Sequence, residues 1–169
     1  MKVGFINLGC AKNRVDTEIM MGLVKKAGHQ LVDKVEQAEA VIINTCGFIA
    51  EAQEEAIDTI LETGRLKEKG QLRYLIAVGC LSQRYGVQLY EEIPELDGIW
   101  GLLDPSEWQA NLDRVFNGAR VFSVNQPPDR FIEQGHRIIS TPSGWAYLKA
   151  VEGCDNHCRY CSIPSIKGP

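Results

Sequence analysis

Apolar positions along this chain follow two rhythms in turn. KVGFINLG (Lys2–Gly9) is a short apolar run closed by glycine, as expected of a strand buried on both faces. From Asn13 to His29 the rhythm changes: Val15, Ile19, Leu23 and Ala27 recur every fourth residue. Asp16 and Glu18 fall early in that stretch, Lys25 and Lys26 fall late, and Gly28 stops it, an order that suits the helix dipole and a glycine cap. AVIINTCG (Ala40–Gly47) predicts a second buried strand, preceded by a short one in QLVDK. A helix is expected over residues 48–64 with Ile49, Ala56, Ile57, Ile60 and Leu61 on its apolar face. RYLIAVGC (Arg73–Cys80) predicts a strand, and Ser82 is the expected cap of a helix covering Tyr85, Leu89 and Tyr90. DGIWGL predicts another short strand. DPSEWQANLDRVFNG predicts a helix capped by Asp104 or Ser106, with Pro105 in its first turn and Gly118 just past its end.

Strand alternating with helix is the pattern of an open parallel α/β sheet with helices on both faces. NQPPDRFIEQG (Asn125–Gly135) is rich in proline and polar residues and predicts a linker. GWAYLKAVEGC then predicts the start of another strand. The expected division is a domain over 1–124, a linker over 125–143 and the start of a second unit over 144–169. No repeat of fixed period is present.

The 169 residues suit one domain with an appendage. A net charge of −4 argues against a surface built to coat nucleic acid. MKVGFINLGC does not have the form of a signal peptide, and no apolar run approaches the ~20 residues that span a bilayer. The expected location is therefore the cytoplasm, where thiols stay reduced. Six cysteines raise the question of a disulfide framework, but long apolar strands and periodic helices need no such staples.

Three cysteines repeat one local theme. Cys10 ends FINLGC, Cys46 ends VIINTCG and Cys80 ends LIAVGC, each just past a predicted strand where a helix should begin. In a parallel sheet those ends share one rim, and ligands of open α/β sheets bind in the crevice there. Gly9, Gly47 and Gly79 stand beside them, so a bulky inorganic group would find room near the backbone. Nearby helix N-termini would favour thiolates. A lone cysteine at a strand end is more often a small core residue, and zinc is a competing metal that usually asks for four ligands. His29 follows Gly28 at a helix exit and is expected to be a solvated turn residue.

The other three cysteines lie in GCDNHCRYCSIPSIKGP. Cys154, Cys158 and Cys161 place three thiols on one tight loop, and soft thiolates select iron–sulfur clusters or zinc. With three protein ligands, one iron of a four-iron cluster stays open. His157 is a conceivable fourth zinc ligand, but beside Cys158 its side chain is expected to point elsewhere.

The spacing C-x-x-x-C-x-x-C, with Tyr160 before its last cysteine, resembles the radical S-adenosylmethionine signature. LGCAKNRVDTEIMMG, NTCGFIAEAQEEAID and VGCLSQRYG resemble the N-terminal domain of the methylthiotransferase family, and the likeness covers nearly the whole chain. GCAKNRVDTE and CSIPSIKG are more similar to the branch that modifies a ribosomal-protein aspartate than to the branch that modifies tRNA. The resemblance implies a Rossmann- or flavodoxin-like N-terminal domain, followed over 144–169 by the first strand and cysteine loop of a truncated radical-SAM partial TIM barrel. It implies two [4Fe-4S] clusters: an auxiliary one on Cys10, Cys46 and Cys80, and one on Cys154, Cys158 and Cys161 that binds S-adenosyl-L-methionine at its open iron. Cleavage of that molecule would give a 5′-deoxyadenosyl radical, which removes hydrogen from the β-carbon of an aspartate in small-subunit ribosomal protein number twelve. The auxiliary cluster would supply the sulfur or methylthio group. An electron donor such as flavodoxin or ferredoxin is implied as a partner, with no membrane, and with tRNA as substrate only in the other branch. Tyr160 is expected near the adenine or in simple packing. No residue is assigned as a catalytic acid or base, and the chain alone is expected to be a fragment without turnover. A non-catalytic α/β module holding zinc or one iron–sulfur centre is the alternative from a different class.

Asn13, Arg14 and Asp16 are candidates to line the first crevice, with capping or solvated roles as alternatives. Asn44 and Thr45 are expected to orient the Cys46 loop through side-chain bonds to backbone. Trp100, Trp108 and Trp145 are expected in the core or at a domain contact.

Overall fold

The computed structural model describes residues 1–102, 105–126, 136–156 and 158–169. Among the described residues six strands are observed: β1 (Lys2–Asn7), β2 (Gln30–Val32), β3 (Ala40–Thr45), β4 (Tyr74–Gly79), β5 (Gly98–Trp100) and β6 (Val121–Ser123). The α-helices α1 (Ala11–Lys26), α2 (Ala50–Glu68), α3 (Cys80–Glu92) and α4 (Pro105–Phe116) connect strands, and α5 (Ile163–Lys167) lies near the C-terminus. All pairings are parallel and the strand order is β2-β1-β3-β4-β5-β6. The expected α/β class is therefore observed, in a flavodoxin-like order.

Successive side chains of a strand point to opposite faces, and here both faces are covered. Val41, Ile43, Leu75 and Ala77 pack beneath Ala56 and Ile60 of α2 and Leu81 and Leu89 of α3. Ala40, Ile42, Ile76 and Val78 pack on the other side with Met20 and Val24 of α1 and Trp108, Leu112 and Val115 of α4. Trp100 and Trp108 meet edge to face within that second core, as expected for core residues. Trp145 is instead exposed and stands edge-on to Tyr147.

Several local expectations need correction. Ser82 does not cap α3; the helix starts at Cys80, and Ser82 is buried in its first turn. The cap is Gly79, at φ +95°, where a Cβ would lie 2.3 Å from Asn44 Oδ1, so only glycine fits. The buried face of α2 is Ala56, Ile60, Thr63 and Gly64, leaving Ile49, Ile57 and Leu61 exposed. Small residues let the helix lie close to the sheet there. The strand expected in GWAYLKAVEGC is absent: residues 145–152 are irregular, with Leu148 and Val151 exposed. A strand needs a ladder partner, whereas this stretch is held by side-chain ion pairs described below. Strand β6 was not foreseen, because VFS is a three-residue edge with one exposed apolar side chain, Phe122. His29 is half-buried against Phe116 rather than solvated, and burial, with the N-terminal amine beside it, lowers its pKa. Asp104, the Ser106 side chain, His157 and residues 127–135 of the expected linker lie outside the described residues.

Residues 136–140 lie along α1. Glu18, fully buried, accepts from Ser140 N and Oγ at 2.7 Å and pairs with Arg137 Nε at 2.6 Å, while Ile138 N donates to the Glu18 carbonyl. Burial pushes the Glu18 carboxyl up, but Ser140 and Arg137 outweigh it and hold it below its ordinary value. Gly22, one turn further on, makes the close approach possible, since a Cβ there would sit 1.7 Å from the His136 carbonyl oxygen. Gly22→Ala is expected to lift this segment from α1 at a cost of about 1–3 kcal/mol, read as faster amide exchange at Ile138 with the sheet core unaffected.

Candidate metal centre at the sheet rim

Cys10, Cys46 and Cys80 follow β1, β3 and β4, three strands adjacent in the sheet. The chain reverses its direction of winding between β1 and β3, so Cys10 and Cys46 flank the switch point where such sheets open a crevice. Thr45 pairs in register with Gly79, so Cys46 and Cys80 are the next residues along each strand.

One side chain marks their convergence. Asn13 Oδ1 lies 3.7 Å from Cys10 Sγ and 3.9 Å from Cys80 Sγ. Asn13 Nδ2 donates to the Thr45 carbonyl at 3.0 Å, at the edge of the Cys46 loop. Asn44 Nδ2 donates back to the Asn13 carbonyl and to Thr17 Oγ1, and Thr45 Oγ1 donates to the Val78 carbonyl at 2.6 Å. Asn44 and Thr45 thus tie the end of β3 to α1 and β4. Gln53 and Arg84 both donate to the Gly47 carbonyl, holding the loop after Cys46 from two helices.

The glycines beside the cysteines serve a different purpose from the one expected. A Cβ on Gly47 would meet the Cys80 and Leu81 backbone at 2.8 Å, and one on Gly9 would meet the Asn13 side chain at 2.4 Å. They let the strand-end loops pack on each other and on Asn13.

Cys10 is exposed, Cys46 half-buried and Cys80 buried. Burial pushes the Cys80 thiol up to about 11; Lys167 opposes the shift, while Cys46, Cys10 and Asp16 add to it. The expectation that a helix N-terminus would favour the thiolate fails here, because Cys80 opens α3 from inside the protein. Of the three rim thiols in the metal-free protein at neutral pH, alkylation is expected to reach Cys10 first and Cys80 last. The Cys80 thiolate fraction is roughly a hundredfold below that of an ordinary thiol, and peptide mass mapping over time checks the order.

In the C-terminal set, Cys161 N donates to the Cys158 carbonyl, forming a tight turn, and Cys154 N donates to the Gly168 carbonyl. Cys158 is exposed, and Cys154 and Cys161 are half-buried. Tyr160 is 93% exposed on that turn. Among the described residues no three His, Cys, Asp or Glu side chains are grouped closely enough to hold one metal ion. A multi-iron cluster makes a different demand, since each thiolate meets its own iron.

A buried charge cluster, not foreseen from the sequence, joins the two regions. Lys149 Nζ lies 2.5 Å from both Asp16 Oδ1 and Glu152 Oε2; Lys167 Nζ lies 2.6 Å from Glu152 Oε1 and 3.5 Å from Asp16 Oδ2. Burial acts against every charge, yet the lysines hold Glu152 below its ordinary value, and the acids hold Lys149 above its own. Asp16 is therefore a tether for the C-terminal segment, and Arg14 reaches Ser140 at the limit of hydrogen bonding. The only local hint was a lysine, Lys149, inside an otherwise apolar run.

A flavodoxin-like α/β domain with thiols gathered at its switch point defines the class: a rim-binding platform of the open parallel-sheet type. Residues 2–101 match the profile of the family described as "Uncharacterized protein family UPF0004", and the chain belongs to that family. It is 55% identical over 168 residues to a protein of Syntrophomonas wolfei subsp. wolfei named "Ribosomal protein uS12 methylthiotransferase RimO", covering 99% of this chain and 38% of that protein. Proteins of the same name from Heliobacterium modesticaldum and Clostridioides difficile are each 45% identical, covering 99% of this chain and 36% and 38% of theirs. The chain spans less than two-fifths of the length of these curated relatives. Their shared name agrees with the resemblance drawn from the cysteine motifs. Among the described residues no helix is long and apolar enough to cross a membrane.

Proposed function

We propose that this chain is the N-terminal part of a radical-SAM methylthiotransferase that adds a methylthio group to the β-carbon of an aspartate in ribosomal protein uS12. The relatives' name supplies the substrate and the reaction. The observation that carries the site assignment is the common approach of Cys10 and Cys80 to Asn13, beside the Cys46 loop.

The donor sets fit iron–sulfur groups. Each offers three soft thiols, which leaves one iron without a protein ligand for sulfur or S-adenosyl-L-methionine. In this reading Cys10, Cys46 and Cys80 hold an auxiliary [4Fe-4S] cluster, and Cys154, Cys158 and Cys161 hold the cluster that binds S-adenosyl-L-methionine. Bound there, the groups supply one-electron chemistry and sulfur for a C–H bond that acids and bases do not activate. The chain's own residues prepare the places. Asn13 fixes the strand-end loops, Gly47 lets Cys46 and Cys80 share one rim, and Asp16 with Glu152 anchors the downstream segment. In this reading Tyr160, exposed on the downstream turn, meets the bound nucleoside. Residues 1–124 form the auxiliary domain, 125–143 connect, and 144–169 begin the radical-SAM unit. The cytoplasm and a flavodoxin- or ferredoxin-type donor follow from the substrate and the need for electrons.

Anaerobic reconstitution of the full-length protein with iron and sulfide tests the reading. Uptake of eight irons is the amount expected of two four-iron clusters, about eight per chain, followed by a mass increase of one methylthio group on a uS12 peptide. Binding of zinc without sulfide, or thiomethylation of tRNA in place of the peptide, would overturn it.

A further inference from the structure

Lys167 ends α5, and only 8% of its side chain meets solvent. Its ammonium lies close to Glu152 and Asp16, but Nζ has no partner in hydrogen-bond geometry among the described residues. Glu152 Oε1, its nearest neighbour, is likewise without a directed bond. Glu152 and Asp16 compensate the Lys167 charge, but an ammonium carries three donors, and leaving them without a well-aligned acceptor has a cost. A ligand offering acceptors would relieve that cost.

The position of Lys167 says where such acceptors would be. Helix α5 packs on α3, whose first residue is Cys80. Asp16, across from Lys167, lies in the second turn of α1, the helix that Cys10 caps. Lys167 and Cys80 act on each other electrostatically, in both directions. The ammonium therefore stands beside the thiol rim while belonging to the segment that carries Cys154, Cys158 and Cys161.

We propose that Lys167 Nζ donates a hydrogen bond to an anionic sulfur of the group held by Cys10, Cys46 and Cys80, an inference that rests on the iron–sulfur reading above. A cation on a cluster sulfur favours the reduced, more negative state. The upstream centre then has its full potential only when the downstream segment is docked, and one lysine makes the two cysteine sets interdependent.

The test uses the full-length protein with Cys154, Cys158 and Cys161 all replaced by alanine, so that only the upstream centre gives a signal. The midpoint potential is followed by electron paramagnetic resonance. Lys167→Met and Lys167→Gln are expected to shift it to lower potential, and Lys167→Arg to keep it near the parent value. Protein labelled with 15N at the lysine side chain provides a second readout that needs no change at Lys167. Its reduced centre should show a weak 15N coupling that disappears in Lys167→Arg, even where the neutral variants fail to fold. A loaded centre with no such 15N coupling, or with the same potential in all three variants, overturns the proposal alone. Failure of the triple-alanine protein to take up iron and sulfide would overturn the iron–sulfur reading and the proposal with it.

Discussion

Cys46→Ala is expected to remove roughly half the iron and sulfide from the reconstituted full-length protein and to abolish methylthio transfer altogether. Cys46 follows the central strand of the three that carry thiols, with Cys10 and Cys80 on its flanks. Its loss leaves two ligands on opposite sides of a gap. The downstream set is formed by a separate turn, so its cluster should persist and S-adenosyl-L-methionine should still be cleaved, without product. Iron and sulfide analysis, together with deoxyadenosine and peptide mass measurements, separates the two losses. The fold should survive, because Cys46 is half-buried and its loop is held by Gln53 and Arg84 through the Gly47 carbonyl. Retention of both full iron content and transfer would sink the site assignment.

Glu152→Ala is expected to destabilise the docked C-terminal segment by about 3–5 kcal/mol, the range for removing one partner of a buried ion pair. Lys149 would lose a carboxylate while keeping Asp16, and Lys167 would keep only its longer, 3.5 Å approach to Asp16 among the described residues. The sheet domain does not depend on this cluster, so loss should appear as proteolysis after residue 140 before global unfolding. Combining Glu152→Leu with Lys167→Met should recover much of the stability, since a buried pair exchanged for apolar groups is often neutral. The same carboxylates give the docking its acid limit. Glu18 and Glu152 both titrate below their ordinary value of 4.5 when folded. A lowered carboxyl contributes its stability above 4.5 and loses it as the pH falls through the folded value. Amide exchange at Ile138 and Ser140 should therefore accelerate in that acid window and stay slow at neutrality.

The regular elements were legible because each is a sustained local pattern. Ala40–Thr45 is apolar on both faces except at its end, and Gly28 and Gly118 close their helices at positive φ, as their positions suggested. The three strand-end cysteines were legible for the same reason, since parallel strands convert a repeated local theme into one place. What escaped was set by distance. Asp16 and Lys149 are separated by 133 positions, and no periodicity joins them. Trp145 and Leu148 carry apolar character that suggests a strand, but without a neighbouring ladder the stretch takes its shape from Lys149 and Glu152. Ser82 has the chemistry of a cap and Gly79 has the geometry, and geometry decides where the turn also meets Asn44.

Because the three thiols sit at the ends of neighbouring strands, the sheet works as a ruler, with rungs about 4.8 Å apart. The length of chain between one cysteine and the next is then irrelevant to the spacing of the thiols. The turn at Gly70, on the far edge from the rim and with open space around it, should accept extra residues without moving any of the three thiols. A protein engineer could splice a reporter peptide there and watch loading proceed unchanged.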